Sequence, residues 1–167
     1  MELVGRMLDG SIPYDLKGVL QPSAGPLVGQ DEKIERLQEV PIFEGCSRRQ
    51  LRALARITGV FDAPAESVLM RAGEPGREFF FILDGSARVE VSPRKRARLG
   101  PGEFFGEMSL LDGQPRSATV VAETPLRLLV INGRHFWPLL KEVPELAQSI
   151  MATLSRRLRQ AEKSLNA

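Results

Sequence analysis

Residues 105–120 read FGEMSLLDGQPRSATV, and this stretch combines a glycine, one carboxylate and one guanidinium around a short loop. Gly106 allows the backbone to adopt a strained dihedral or to approach a ligand closely. The residues that follow it, from Glu107 to Leu111, favour a helix, so exposed backbone N–H groups are expected at a helix start beside the glycine. A helix start of this kind attracts phosphate.

Two side chains after the loop add to this anion site. Arg116 carries a permanently charged planar fork that can hold two phosphate oxygens, and the hydroxyl and amide of Ser117 supply further donors. Glu107 would repel a phosphate, so we expect it to accept hydrogen bonds from neutral hydroxyl groups such as those of a ribose. The alternative is an exposed Glu–Arg ion pair beside a turn at Asp112 and Gly113. Taken together, the residues favour a nucleotide with one phosphate charge.

The same stretch resembles the phosphate-binding cassette of cyclic nucleotide-binding domains, because its Gly-Glu and Pro-Arg pairs match the family's spacing without a gap. The family includes catabolite-activator-type regulators, regulatory subunits of cyclic AMP-dependent protein kinase and cyclic nucleotide-gated channels. The resemblance covers residues 32–165 and implies a mainly β fold with flanking helices (α+β). That fold is an antiparallel β-roll of the jelly-roll type with N-terminal helices and a long C-terminal helix.

The resemblance also implies a role for each cassette residue. Glu107 would bind the ribose 2′-hydroxyl and Arg116 the cyclic phosphate, while Ser117 and the amides of Gly106 and Glu107 would take the remaining phosphate oxygens. Ser117 stands where a threonine often favours guanine in the family. The expected ligand is therefore cyclic AMP, with cyclic GMP as the alternative.

Fewer residues are expected to contact the base of the nucleotide. By the same resemblance Val89 and Leu99 would line its pocket with Met108 close by, although each is equally suited to an ordinary core. Catabolite-activator-type regulators read adenine with a Thr-Ser pair on the long helix, and those positions here hold Ala161 and Glu162. The base would then be covered only by apolar contact or by Arg159 stacking on it, or selectivity between adenine and guanine would be poor.

Proline and glycine residues interrupt the apolar patterns and divide the chain into segments. Residues 1–30 are rich in both and predict a loosely ordered arm. Residues 31–167 predict one nucleotide-binding-like domain, with helices over 31–58, a β-roll over 59–131 that includes the cassette 105–120, and helices over 132–167. The best hairpin turn is Asp84-Gly85, which would join residues 79–83 to residues 87–91.

Capping signals support the helices. Ser47 and Gln50 form a capping box, Asn132 is an N-cap candidate, and Pro144 stands in a first-turn position. The helix from Glu145 repeats apolar residues at spacings of four and three, which are Ala147, Met151, Leu154, Leu158, Ala161 and Leu165. This face predicts a homodimer contact, as the family resemblance implies; the alternative is that it packs on its own β-roll.

Composition excludes several classes of function. Lys+Arg of 23 against Asp+Glu of 21 gives a net charge of +2, too weak a bias to indicate binding to nucleic acid or to an anionic membrane.

No apolar stretch has membrane-spanning length, so a soluble, cytoplasmic protein is expected. The chain ends at Ala167 without room for a helix-turn-helix, so sequence-specific DNA binding is not expected. The basic clusters are interpreted as solvated faces or as contacts to acidic proteins, and non-specific binding of phosphate backbones is the alternative.

Enzyme interpretations find little support. Cys46 is the only cysteine and His135 the only histidine, and they stand far apart in the sequence. There is no phosphate loop of nucleoside triphosphatases and no Cys/His cluster at metal-ligand spacing, so no cofactor or metal is expected. The main hypothesis is a cyclic nucleotide sensor that signals to an unidentified protein, and the alternative is a β-roll without nucleotide binding that serves oligomerisation or docking.

Overall fold

The computed structural model describes Leu16, residues 18–92 and residues 95–166. These residues divide into two compact units. One is a β unit of residues 16–27 and Thr58–His135, and the other is a helical unit of Val28–Ile57 and residues 136–166.

The β unit contains two antiparallel sheets. One sheet has five strands in the order β1-β2-β9-β4-β7, and the other has four in the order β3-β8-β5-β6. The strands are β1 Gln21–Pro22, β2 Thr58–Ala63, β3 Val68–Met70, β4 Glu78–Asp84, β5 Ala87–Ser92, β6 Lys95–Leu99, β7 Phe104–Phe105, β8 Thr119–Ala122 and β9 Leu126–Asn132. The predicted antiparallel β unit with flanking helices is confirmed.

The central strands of the larger sheet explain why this unit is stable. The apolar run of β4 and that of β9 lie side by side, with Phe80 opposite Val130 and Phe81 opposite Leu129. Nearly every residue of both strands is buried, as expected for short continuous apolar runs. The core between the sheets includes Phe61, Leu69, Phe80, Phe105, Val120 and Leu128.

The predicted hairpin at Asp84-Gly85 is wrong. Strand β4 pairs with β7 and β9, whereas β5 pairs with β6 and β8 in the other sheet. Gly85 has a φ of 92°, and a Cβ there would lie 2.3 Å from the carbonyl oxygen of Pro125. The glycine therefore allows the chain to cross tightly from one sheet to the other, and the hairpin is instead formed by β5 and β6.

The end of the predicted loose arm packs against the β unit. We call Leu16 and residues 18–22 the amino-terminal strap. Leu16 and Leu20 are each 3% exposed and belong to the core between the sheets. The residues Gln21–Pro22 pair with Asp62 and Phe61 of β2. Residues 1–15 and Lys17, which the same prediction included, lie outside the described residues.

Five helices are found among the described residues: α1 Gln30–Gln38, α2 Arg48–Arg56, α3 Glu107–Asp112, α4 Gly133–Glu142 and α5 Pro144–Asn166. A 3₁₀ turn, Pro41–Phe43, lies between α1 and α2. The capping box of Ser47 and Gln50 is confirmed in both of its hydrogen bonds. The side-chain oxygen of Asn132 accepts from the amide of Arg134 at 2.8 Å, and α5 begins at Pro144 as predicted.

The long helix α5 has two different apolar strips. Leu146, Ile150 and Thr153 are buried, and α5 contacts the 3₁₀ turn within the helical unit. The heptad positions Met151, Leu158 and Leu165 are exposed.

Candidate functional site

The cassette loop begins at Gly106, between β7 and α3. Gly106 has a φ of 86°, and a Cβ there would lie 2.5 Å from the carbonyl oxygen of Glu78 and 3.0 Å from Nη1 of Arg116. Only glycine combines this left-handed backbone with such a close approach. Helix α3 follows directly and ends at Asp112, and its C-cap residue Gly113 is also left-handed.

Backbone hydrogen bonds fix the position of Arg116. Its amide donates to the carbonyl oxygen of Glu74 at 2.9 Å, and its own carbonyl oxygen accepts from the amide of Gly73 at 2.8 Å. The loop that carries Arg116 is thereby joined to the loop between β3 and β4. The guanidinium is consequently directed into the β unit, where its side chain is buried.

Inside the β unit Arg116 is paired with Glu78, at the start of β4. Nη2 of Arg116 donates to Oε1 of Glu78 at 3.1 Å, and Nη1 donates to the carbonyl oxygens of Glu78 at 3.0 Å and Gly106 at 3.5 Å. The Glu78 carboxylate also accepts from the amide of Arg77. The positive charge of Arg116 is therefore balanced within the protein, which excludes the alternative of an exposed ion pair between Arg116 and Glu107.

Two neighbours shape the space around the guanidinium. A Cβ at Gly76 would lie 2.4 Å from Nε of Arg116, so a larger residue there would displace the side chain. The ring of Phe80 lies on another side, with its centroid 5.9 Å from Cζ, within the range of a cation–π contact. The ring of Phe80 stacks in turn on that of Phe105, with the ring centroids 4.8 Å apart, so the guanidinium lies beside a stacked pair of aromatic rings.

The other cassette residues differ in their exposure. Glu107 is half-buried in the first turn of α3, and Ser117 is exposed next to Arg116 in the sequence. Met108, expected near the base, is exposed on α3. The loop thus presents one carboxylate and one hydroxyl outside a buried guanidinium.

The residues expected to line the base pocket lie on neighbouring strands of the smaller sheet. Val89 in β5 is opposite Val120 and Ala97, and Leu99 in β6 is opposite Ala87. Both are half-buried and pack against the core between the sheets, together with Val19 and Met70. A cavity of about 140 Å³ lies beside Arg116, and its lining includes Leu16, Val19, Met70, Gly76, Glu78 and Arg116.

The positions that would read adenine, Ala161 and Glu162, are exposed on α5, as is Arg159. Stacking of Arg159 on the base stays a prediction.

The candidate nucleophile of the enzyme interpretation is poorly suited to that role. Burial raises the pKa of Cys46 to about 11, so its thiol is protonated at neutral pH. In the part of the chain that the structure describes, Nε2 of His135 is buried without a hydrogen-bond partner. The described residues contain no group of three or more metal-ligating side chains, and none of their helices is long and apolar enough to cross a membrane.

Sequence reasoning missed Glu78 and Gly76. A signal for Glu78 was present, because it directly precedes the apolar run of β4 and shares its alternation with Phe80 and Ile82. A charged residue on the inner face of a buried strand requires a partner of opposite charge. No comparable local signal marks Gly76, whose importance comes from a side chain distant in the sequence.

Comparison with known proteins agrees with this geometry. The model of the cyclic nucleotide-binding domain family matches residues 61–143. The chain is 35% identical over 163 residues to the cyclic nucleotide-gated potassium channel mll3241 of Mesorhizobium japonicum, covering 92% of this chain but 45% of the channel. It is also 35% identical over 108 residues to the cyclic AMP receptor protein of Thermus thermophilus, covering 62% of this chain and 50% of that protein.

A solved structure supports the same assignment. The cyclic nucleotide-binding domain from Methylobacillus flagellatus superposes with a TM-score of 0.65 at 27% identity, covering 89% of this chain and 86% of that domain. Residues 61–143 are therefore a member of the cyclic nucleotide-binding domain family, in an antiparallel β-roll with flanking helices.

Proposed function

We propose that this protein is a regulatory sensor that binds cyclic AMP through Arg116, Glu107, Ser117 and the backbone at Gly106. The single observation that carries the proposal is the fixed, buried guanidinium of Arg116 against the left-handed Gly106 loop. A guanidinium held in place before binding loses little conformational freedom when it pairs with a phosphate. Glu107, in the first turn of α3, then takes the ribose hydroxyl.

The proposed ligand choice rests on the residue after Arg116 and on a relative. Ser117 stands where a threonine often favours guanine in this family. The relative from Thermus thermophilus is named a cyclic AMP receptor protein. We expect cyclic AMP to bind more tightly than cyclic GMP. In the proposed mechanism, binding changes the protein contacts of α5 or of the amino-terminal segment, and no catalytic step is involved.

Calorimetric titration of the full chain with cyclic AMP tests the proposal. We expect Arg116→Lys to weaken binding by about 10- to 100-fold, because the loss of a charge-assisted hydrogen bond costs about 1.5–3 kcal/mol and lysine lacks the planar fork. Arg48→Lys is the matched control, since Arg48 is an exposed arginine that also pairs with a carboxylate. Absence of binding heat and of competitor displacement at millimolar cyclic AMP would contradict the proposal.

The hydroxyl of Ser117 provides a second, milder test. Because Ser117 is exposed, its replacement by alanine leaves the core unchanged. We expect Ser117→Ala to weaken cyclic AMP binding by about fivefold, the equivalent of one neutral hydrogen bond of about 1 kcal/mol. Ser155→Ala, at an exposed position of α5, should leave the affinity unchanged.

A second candidate function is a docking module that does not bind nucleotide. The ion pair between Arg116 and Glu78 favours it, since the guanidinium already has a negative partner inside the β unit. This function predicts that excess cyclic AMP or cyclic GMP leaves the melting temperature unchanged. A sensor instead gains about 2.7 kcal/mol of stability at a hundredfold excess over the dissociation constant.

We further propose that the exposed strip of α5 joins two copies of the chain. Met151, Leu158 and Leu165 recur every seven residues, as in a coiled-coil seam. Leu158→Asp should convert a dimer to a monomer in sedimentation analysis, whereas Gln148→Asp, an exposed position outside the seam, should leave the dimer intact. A wild-type chain that is monomeric at all concentrations would exclude this contact.

A further inference from the structure

The amino-terminal strap closes the cavity that Arg116 lines. Leu16 and Val19 form part of its wall, on the same cavity as Met70 and Arg116. The cavity measures about 140 Å³, whereas pockets for small organic ligands measure roughly 300–1,000 Å³. With the strap in this position, the space beside Arg116 is too small for a nucleotide base and its sugar.

The strap occupies this space with apolar side chains. Leu16 and Leu20 are almost fully buried in the core between the sheets. Val19 packs against the same core as Val89 and Leu99, the residues expected from the family resemblance to line the base pocket. The strap and a base held by Val89 and Leu99 would therefore both pack against the core between the sheets.

The hydrogen bonds that join the strap to the β unit lie at its carboxyl end, in β1 and in the residue that follows it. There the amide of Ser23 donates to the carbonyl oxygen of Val60 at 3.1 Å, and its hydroxyl donates to Asp62 and accepts from Arg127, each at 2.9 Å. Upstream of β1, the backbone hydrogen bonds of the described strap residues are internal, from the amides of Val19 and Leu20 to the carbonyl oxygen of Leu16. A segment held by side-chain burial next to a fixed anchor can open locally without unfolding the domain.

We propose that the strap is a built-in competitor of the nucleotide, and that cyclic AMP binds at the cassette by displacing Leu16, Val19 and Leu20 from the β unit. This inference rests on the proposed nucleotide-binding function. The apparent association constant is then the intrinsic constant multiplied by the fraction of molecules in which the strap is open. A partner that captures the released strap raises the affinity for the nucleotide, and the nucleotide raises the affinity for that partner by the same factor.

The affinity of strap variants tests the inference. In the full chain, Leu16→Ser combined with Leu20→Ser removes the buried side chains that hold the strap, and we expect the dissociation constant for cyclic AMP to fall at least tenfold. Leu27→Ser is the matched control, because Leu27 is fully exposed just beyond the strap, and it should leave the constant unchanged. Val19→Phe, which fills the cavity, should raise the constant at least tenfold.

Hydrogen exchange of the unmodified chain provides a measurement that does not depend on how well the variants fold. Saturating cyclic AMP should accelerate exchange at the amides of Val19 and Leu20, while the amide of Ser23 at the anchor keeps its protection. Faster exchange of the strap amides alone supports displacement. Unchanged or slower exchange at saturation overturns it, because a strap that stays in place is part of the pocket wall.

The outcomes separate this inference from the proposed function. If the double serine variant binds cyclic AMP more tightly than the wild type, and adding Arg116→Lys removes this gain, the strap competes with the nucleotide at the cassette. If the double variant binds cyclic AMP as tightly as the wild type, or more weakly, the strap is not a competitor, and the proposed nucleotide-binding function is unaffected. Absence of cyclic AMP binding by both the wild type and the double variant overturns the sensor and the strap together.

Discussion

Two arginine–carboxylate pairs in this molecule have the same N–O distance and opposite surroundings. Nη2 of Arg116 lies 3.1 Å from Oε1 of Glu78, and Nη2 of Arg48 lies 3.1 Å from Oδ1 of Asp31. The side chains of the first pair are 2% and 4% exposed, whereas those of the second are 58% and 86% exposed. The contact distance alone therefore does not distinguish a candidate binding group from an ordinary surface pair.

The surroundings explain why the two pairs differ in rigidity. Arg116 is fixed by the backbone of Glu74, by the absence of a side chain at Gly76 and by the ring of Phe80. Arg48, at the start of α2, is mostly surrounded by solvent. Desolvating two charges costs several kcal/mol per ion, so a buried pair contributes little net stability relative to an apolar pair. The proposed phosphate-binding function gives a reason for keeping a charge inside the β unit.

The largest effect is expected when one member of the buried pair is removed. Glu78→Ala leaves the guanidinium of Arg116 inside the protein without its carboxylate, and we expect the free energy of unfolding to fall by about 3–5 kcal/mol. Urea denaturation measures this loss. The double variant Glu78→Ala with Arg116→Met should recover most of it, because no unpaired charge then remains. A loss below about 1 kcal/mol for Glu78→Ala would show that Arg116 does not depend on this partner.

Only Arg116 of this buried pair is predictable from a local sequence pattern. The cassette lies within residues 105–120, so the glycine and the helix that accompany Arg116 are close to it in the chain. Glu78 reaches Arg116 across 38 positions of sequence, through strand pairing that a local pattern does not encode. The prediction of a hairpin at Asp84-Gly85 is wrong for the same reason, because a turn signal does not indicate which sheet the next strand joins.

The strap illustrates a different limit of sequence reasoning. Prolines and glycines in residues 1–30 indicated irregular backbone, but irregular backbone can still bury leucines. Leu16 and Leu20 lie on one side of a single turn, with the amide of Leu20 bonded to the carbonyl oxygen of Leu16. Two apolar residues give too short a pattern for a periodicity to be recognised. Their burial depends on the opening in the β-roll that receives them.

An intermediate effect is expected at Gly76, which tests whether the position of Arg116 matters rather than its charge. A methyl group there would lie 2.4 Å from Nε, and the arginine cannot move freely because its other contacts hold it. We expect Gly76→Ala to lower the free energy of unfolding by about 1–3 kcal/mol, as overpacking does, and to weaken cyclic AMP binding. Thermal unfolding and calorimetry measure the two effects.

Gly100→Ala is the control for the Gly76 variant. An added Cβ at Gly100 meets no atom within 4 Å, and its backbone is not left-handed. It should leave stability and affinity unchanged. If Gly76→Ala behaves in the same way, the buried arginine adjusts easily and is not fixed before the ligand binds.

The smallest effect is expected at the exposed pair. Asp31→Ala removes the carboxylate that faces Arg48, but both groups remain hydrated, so the free energy of unfolding should fall by only about 0.2–1 kcal/mol and the difference should shrink further in 1 M salt. Urea denaturation at low and high salt measures it. The same salt change should leave the loss caused by Glu78→Ala nearly intact, because ions do not reach a pair buried in the β unit. If both variants responded to salt alike, burial would not be the property that separates the two pairs, and the argument for a prepositioned phosphate-binding arginine would lose its physical basis.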